Sequence, residues 1–233
     1  MTLVVPLEES LDIAPLPGAP DRRGRFDTAV SGLISRSVEI HHDGNQYGVQ
    51  LALTPFGARA LYGMPAAEIA DVVVTLDDVL GPRSRRLVDR LRIAPTWRDR
   101  FAVLDDGLLR WLGASEHRDV DRVRPEVAEA WRQLITTEGA AEVGELARHV
   151  GWSRRHLSEQ FRREFGLTPK LVARVLRFER VRDLAVQAEA PSWADVAAAA
   201  GYADQSHLTR EWRDFTGQTP AAWRENDTMS RFE

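Results

Sequence analysis

The chain has 233 residues, of which 43% are hydrophobic and 28% charged, and its formal net charge is −4. It contains no cysteine, which excludes disulfides, cysteine-zinc sites and thiol chemistry. No apolar run is long enough to cross a membrane, and Met1–Pro6 lacks the basic and apolar segments of a signal peptide. We therefore expect a cytoplasmic globular protein.

The N-terminal region predicts short strands followed by helices. Apolar or alternating runs predict strands at Leu3–Val5, Ser37–Ile40 and Tyr47–Leu53. The turn residues of Pro15–Pro20 and His42–Asn45 separate these strands. Apolar spacing then predicts helices at Ala58–Tyr62, Ala66–Ala70, Ser84–Ile93 and Thr96–Leu112. We expect an α+β domain over residues 1–112 and a polar, charged linker over residues 113–124.

After this linker the sequence predicts only helices. The expected helices are Pro125–Thr137, Glu142–Val150, Ser153–Phe165, Thr168–Gln187, Ser192–Ala200 and Asp204–Phe215, with a short last helix that Thr219-Pro220 opens. Ser, Thr and Asp are favourable N-caps, and they stand at Ser153, Thr168, Ser192 and Asp204. The fold class is therefore an α+β domain followed by an all-α domain over residues 125–225, with a tail over 226–233.

One pattern occurs twice in the all-α region. Each copy carries an alanine, a glycine, a leucine, an aromatic residue and a proline at matching places: Ala147, Gly151, Leu157, Phe161 and Pro169, then Ala197, Gly201, Leu208, Trp212 and Pro220. The second copy has one extra residue after its glycine. When this residue is allowed for, the two copies align at all five places. The pattern is typical of a helix-turn-helix, and two such units in one chain point to DNA as the partner.

The helix between the two copies, Thr168–Gln187, has a length suited to that partner. A helix of about 20 residues is roughly 30 Å long. Successive major grooves on one face of B-DNA are about 34 Å apart. A single chain can therefore place two recognition helices one DNA turn apart.

The distribution of charge agrees with a polyanionic partner, although the net charge does not. Residues 148–182 contain ten basic and three acidic residues, whereas residues 183–224 contain three arginines and six acids. A basic block inside an acidic chain is typical of nucleic-acid binding, and the alternative is a solvated helix face. We expect the first helix-turn-helix to supply most of the salt-dependent affinity.

Three segments of this region, Gly151–Leu157, Phe161–Pro169 and Ala197–Arg210, resemble the AraC/XylS family of bacterial transcriptional regulators. The resemblance covers about residues 125–225, with both helix-turn-helix units in order. It implies a sequence-specific regulator that binds double-stranded DNA through recognition helices at 153–165 and 204–215.

The resemblance also implies which side chains contact DNA. Base edges are approached from Arg155, Ser158 and Glu159 in the first unit and from Ser206, His207 and Arg210 in the second. Arginine is the best reader because it can bond guanine twice. Phosphate contacts are expected from Arg154, His156, Arg162, Arg163 and Gln205. Glu159 departs from a basic surface; it could accept from a cytosine amino group, but we favour a role in orienting Arg155 or Arg163.

The N-terminal domain is less clearly identified. In the family such a domain commonly senses a small-molecule effector or forms a homodimer, and Gly48–Leu53 with Gly57–Gly63 resembles the sensor region of some members. Those regions usually begin further upstream, so we expect a reduced sensor or an earlier start. The aromatic residues Phe56, Tyr62, Trp97 and Trp111 could line a pocket, but their helical spacing favours a core. No residue set identifies an effector.

Two alternatives remain. The first is a DNA-binding protein without sensing, whose N-terminal domain only dimerises or contacts RNA polymerase. The second, remote one is an enzyme fused to a DNA-binding domain. His41-His42-Asp43 suggests a metal site, but neighbouring strand residues point to opposite faces. No Gly-x-Ser-x-Gly elbow or phosphate-binding glycine loop occurs, so we expect no catalytic residue, metal or cofactor.

Overall fold

The structure is a computed structural model that describes residues 1–14, 24–36, 38–115, 123–186 and 191–230. Its contacts divide the chain into two compact units. The N-terminal unit consists mainly of Met1–Ile34 and Val38–Arg122, and the C-terminal unit mainly of Val123–Arg162 and Leu167–Glu233. The first contains strands and helices and the second only helices among its described residues, which confirms the predicted fold class. None of the described helices is both long and apolar enough to span a membrane.

Two antiparallel sheets form the first half of the N-terminal unit. Their strands are β1 (Thr2–Pro6), β2 (Leu11–Ile13), β3 (Gly24–Phe26), β4 (Ala29–Ser31), β5 (Ile40–His41), β6 (Gly48–Ala52) and β7 (Val73–Val74). The larger sheet has the order β6-β1-β4-β7 and the smaller one β3-β2-β5. Leu3 of β1 lies opposite Val30 of β4 on one side and Leu51 of β6 on the other, so these three strands share an apolar row of side chains.

Helices follow the sheets and cover their apolar side chains. They are α1 (Pro55–Tyr62), a 3₁₀ turn (Ala66–Ile69), α2 (Leu76–Leu80), α3 (Arg83–Ile93) and α4 (Trp97–Ser115). Buried residues from sheet and helices form one core that includes Leu3, Val30, Leu61, Leu91 and Leu104. Contiguous burial of this kind is the main stabilising term of a domain.

Several N-terminal predictions differ from the structure. The strand predicted at Ser37–Ile40 is wrong in its placement, because the strand covers Ile40–His41 and residue 37 lies outside the described residues. β2, β3, β4 and β7 and the short α2 were not predicted. Helix α4 runs to Ser115, past the predicted start of the linker. The loop at 15–20 and most of the linker also lie outside the described residues.

The C-terminal unit contains the helices that the repeat predicts. They are α5 (Pro125–Thr136), α6 (Val143–His149), α7 (Arg154–Phe165), α8 (Pro169–Ala185), α9 (Trp193–Ala199), α10 (Gln205–Thr216) and α11 (Pro220–Ser230). Thr168, Ser192 and Asp204 cap their helices with side-chain oxygens. Each cap satisfies a backbone N–H that the first helical turn leaves unpaired.

A small core lies beneath each helix-turn-helix. In the first, the rings of Trp131 on α5 and Phe161 on α7 stack at 5.9 Å, next to the fully buried Leu157. In the second, Trp212 of α10 packs against Phe178 of α8 at 4.9 Å and Trp223 of α11 at 5.1 Å. Helices α7 and α10 are thereby held by their inner faces, and their outer faces remain exposed.

Candidate nucleic-acid interface

The turn between the two helices of each unit has the same geometry in both copies. Gly151 and Gly201 adopt φ angles of 73° and 75°, a region that L-residues with side chains rarely occupy. The backbone N–H of Trp152 then donates to the carbonyl of Ala147 at 2.8 Å, and that of Tyr202 to Ala197 at 2.9 Å. The two recognition helices thus leave their supporting helices through the same bend.

Each recognition helix begins with a capped turn that carries a histidine. The backbone N–H of His156 donates to Ser153 Oγ at 3.2 Å, and that of His207 donates to Asp204 Oδ1 at 2.7 Å. His156 also packs edge to face on Trp152, with ring centroids 4.6 Å apart. His207 does the same on Tyr202 at 5.2 Å. The histidines therefore occupy equivalent places, although the sequence suggested a phosphate contact for one and a base contact for the other.

The outer face of α7 is exposed and basic. Arg154, Arg155, Glu159 and Arg162 are exposed and Ser158 is half-buried. None of the three arginines forms an ion pair with a described residue, so their charges are available to a ligand. This is the arrangement that phosphate binding requires.

Arg154 differs from the other arginines of α7 in its position. Its guanidinium lies against the backbone of Gly144 on α6, where a methyl group on the glycine would come within 2.7 Å of Arg154 Nε. Gly144 therefore makes room for this side chain. The guanidinium group of Arg154 therefore lies over the supporting helix α6.

For Glu159, the orienting role that we favoured stays a prediction. Its side chain is exposed, and among the described residues it forms no ion pair with Arg155 or Arg163. A carboxylate without a cationic partner on a DNA-facing surface repels phosphate unless it accepts a hydrogen bond from a base.

The outer face of α10 carries fewer charges. Gln205, Ser206 and Arg210 are exposed, and His207 is half-buried. The register of the repeat adds Thr209, which matches Ser158, and the exposed Arg213, which matches Arg162. These two residues were missed, although the one-residue insertion after Gly201 already gave the signal for them.

The basic block of residues 148–182 turns out to have two parts. On α8, Arg174 pairs with Glu211 at 2.9 Å and with Asp214 at 2.8 Å, and Arg180 pairs with Glu138 at 2.9 Å. These arginines join helices within the protein. Arg174 and Arg180 are therefore paired within the protein, whereas the exposed Lys170 and Arg182 of α8 and the arginines of α7 form no ion pair with a described residue.

The N-terminal candidates do not meet in a shared pocket. Tyr62 and Trp111 are buried in the core, whereas Trp97 lies at the surface against Tyr47, with ring centroids 5.3 Å apart. A cleft of about 620 Å³ lies elsewhere, between the segments 4–11 and 41–50, and polar and apolar groups line it in similar proportion. Within the described residues no group of three or more His, Asp or Glu side chains could hold a metal ion, His41, His42 and Asp43 included.

Comparison with known proteins agrees with this geometry. A family model described as a helix-turn-helix domain matches residues 146–226. No curated protein matches the chain in sequence.

Three of the solved structures that match are as follows. A transcriptional regulator with an AraC-type DNA-binding domain from Chromobacterium violaceum is 27% identical, with 43% of this chain and 90% of that chain covered and a TM-score of 0.39. The DNA-binding domain of AdpA, a global transcriptional factor in complex with a target DNA, is 22% identical, with 47% and 99% covered and a TM-score of 0.43. ToxT from Vibrio cholerae is 9% identical, with 96% and 88% covered and a TM-score of 0.49. The family-model match and the two equivalent capped helices together show that the chain carries a C-terminal helix-turn-helix domain.

Proposed function

We propose that this protein is a sequence-specific transcriptional regulator whose helices α7 and α10 enter successive major grooves of DNA. The observation that carries the proposal is the pair of equivalent recognition helices, each fixed by a core on one face and exposed on the other. A helix in the major groove can distinguish all four base pairs. Two such helices in one chain read a longer site than either alone.

The length of α8 supports insertion into neighbouring grooves. This helix has 17 residues, which corresponds to about 25 Å at 1.5 Å per residue. It contacts the cores of both helix-turn-helix units, through α5 in the first and through α9 and α10 in the second. The groove repeat of about 34 Å then requires the recognition helices to lie beyond the ends of α8, or the DNA to bend toward the protein.

We propose specific roles for the exposed side chains. Arg155 and Arg210 read guanine, and Ser158, Glu159, Ser206 and His207 contribute to the remaining base contacts. Arg154, His156, Arg162, Arg163 and Gln205 bind phosphate, as does Arg213 by its equivalence to Arg162. This division follows the usual one, in which phosphate contacts fix the register and base contacts specify the sequence.

The experiment for this proposal is selection of bound duplexes from random DNA by the full chain. We expect enrichment of two short half-sites about one helical turn apart. Enrichment of a single short site would mean that one unit reads DNA alone. No enrichment at moderate salt would contradict sequence-specific binding.

For the N-terminal unit, one observation favours association of two copies over the binding of an effector. Helix α4 exposes Trp97 and Phe101 in its first two turns and Leu112 near its end, with exposed fractions of 39%, 53% and 37%. These side chains border the core-packed Leu104 and Leu108. A stripe of large apolar side chains at helical spacing is typical of a surface that pairs with another protein. The cleft at residues 4–11 and 41–50 has a mixed polar and apolar lining, which is less apolar than the sites that small molecules prefer.

Sedimentation of the full chain tests this role. If α4 pairs with α4 of a second copy, Phe101→Glu will convert a dimer into a monomer because the carboxylate cannot be buried there. Ala102→Glu, on the neighbouring residue and away from the stripe, is the control and should leave the dimer intact. A wild-type protein that is monomeric at all concentrations would rule out dimerisation through α4 and would favour effector binding as the role of the N-terminal unit.

A further inference from the structure

One carboxylate in the C-terminal unit is buried and yet surrounded by donors. Glu211 lies on the inner face of α10 and its side chain is 7% exposed. It accepts hydrogen bonds from Arg174 Nε at 2.9 Å, from Arg177 Nη2 at 3.4 Å and from the Tyr202 hydroxyl at 2.8 Å. A buried charge is tolerated in a protein only when it is paired and hydrogen-bonded in this way.

The three donors come from two places in the fold. Arg174 and Arg177 belong to α8, and Tyr202 lies in the turn between α9 and α10. Burial and the neighbouring Glu211 carboxylate raise the pKa of Tyr202, so its hydroxyl remains protonated and can donate. Glu211 thereby holds α10 to α8, the helix that joins the two helix-turn-helix units. It also holds α10 to the turn that precedes it.

Arg177 extends this network to the first helix-turn-helix. Its Nη1 donates to the carbonyl oxygen of Gly139 at 3.0 Å, in the turn between α5 and α6, while its Nη2 reaches Glu211. Gly139 packs directly on α8: a methyl group on this glycine would clash with the backbone at Ala173. One guanidinium therefore connects the base of the first helix-turn-helix to the recognition helix of the second.

We propose that Glu211, with Arg174 and Arg177, sets the spacing and relative orientation of the two recognition helices, and so the half-site spacing that the protein accepts. This inference rests on the proposed function. Glu211 is a positioning residue, because its buried carboxylate faces α8 and not the exposed side of α10. The planar guanidinium groups make the connection directional, since their donors point along fixed lines.

The experiment compares three duplexes that share the sequence enriched by the wild-type protein. The first has the selected spacing between the half-sites, the second has one extra base pair between them, and the third has a scrambled second half-site. Binding of each duplex is measured by fluorescence anisotropy at fixed salt. The informative quantity is the ratio of affinities for selected and extended spacing.

We expect the wild-type protein to prefer the selected spacing by about tenfold or more, since a good fit of the second unit adds at least one charge-assisted contact. Glu211→Gln removes the charge that orients both arginines, and the ratio should fall to about threefold or less. A fall of this size corresponds to losing part of one charge-assisted hydrogen bond. Affinity for the duplex with the scrambled half-site should stay within about twofold of wild type, since variations of that size fall below a single hydrogen bond.

Asp214→Asn is the matched control. Asp214 is on the same helix and also pairs with Arg174, but its side chain is 66% exposed and it does not contact Arg177 in the described structure. This variant should keep the wild-type spacing ratio. Tyr202→Phe removes a single donor to Glu211 without changing a charge, and it should lower the ratio in the same direction by a smaller factor. It keeps the test decisive if Glu211→Gln does not fold.

Two outcomes would overturn the inference. One is an unchanged spacing ratio in folded Glu211→Gln or Tyr202→Phe protein. The other is an equal loss on all three duplexes, which would assign Glu211 to general stability. If the wild-type protein enriches no duplex at all, the proposed function fails and the spacing role fails with it, a result distinct from both.

Discussion

The two helix-turn-helix units share a framework but use charge in different ways. Both have a glycine bend, a capped recognition helix and a histidine packed on an aromatic ring. In the first, exposed arginines on α7 have no acidic partner among the described residues. In the second, the buried Glu211 and its arginine partners face inward, and the exposed side of α10 is only weakly basic. We infer that the same framework serves mainly for electrostatic attraction to DNA in the first helix-turn-helix and for directional placement in the second.

The largest expected effect is on stability, and it comes from substitutions in the cores of the two helix-turn-helix units. The two units should respond alike. Phe161→Ala and Trp212→Ala each remove a fully buried aromatic ring, and each should lower the free energy of unfolding by about 3–5 kcal/mol. Urea unfolding of the full chain measures both losses. Arg213→Ala, at an exposed site, is the control and should change stability by no more than about 0.5 kcal/mol. A loss below about 1 kcal/mol in one unit would mean that its core relaxes around the cavity.

Base reading is where the units should differ most. Loss of a bidentate arginine–guanine contact costs about 1–3 kcal/mol. We expect Arg155→Ala to lie near the upper end of this range and Arg210→Ala near the lower end, because α7 lies in the more basic surface. Gel-shift titration of the selected duplex at one salt concentration gives both values. Equal losses would remove the proposed asymmetry.

Salt dependence tests the phosphate contacts. Arg162→Ala and Arg213→Ala should each make the slope of log K against log salt less negative by about 0.9, the value for one phosphate contact. Arg180→Ala is the matched control, since this arginine of α8 is paired with Glu138 and should leave the slope unchanged. A changed slope in Arg180→Ala would show that the α8 cations also face DNA.

The smallest expected effect concerns the caps. Asp204 puts a carboxylate at the start of α10, where the first unit has the uncharged Ser153. Asp204→Asn should preserve the cap, because Asn and Asp are about equally good, and the stability should stay within about 0.5 kcal/mol. Affinity for DNA at low salt should rise by about two- to threefold as one phosphate repulsion is removed. Ser153→Asp should have the opposite effect, and a rise in affinity for that variant would contradict the explanation.

The helices of the C-terminal unit could be predicted from the sequence because their signals are local. Thr168, Ser192 and Asp204 mark the starts, and the apolar residues of each helix repeat along one face. Strands such as β4 and β7 could not be predicted in the same way. They have only three and two residues, and they exist through pairing with each other and, for β4, with β1.

The sequence by itself determined the two helix-turn-helix units, their register and the family resemblance, because glycine bends, caps and amphipathic spacing act over a few residues. Only the tertiary structure decided which cations are free. Arg174 and Arg177 precede Glu211 by more than thirty positions in the chain, and their pairing depends on how α8 and α10 pack. The charge of a segment can be counted from a sequence, whereas the partner of each charge is fixed by packing between distant segments.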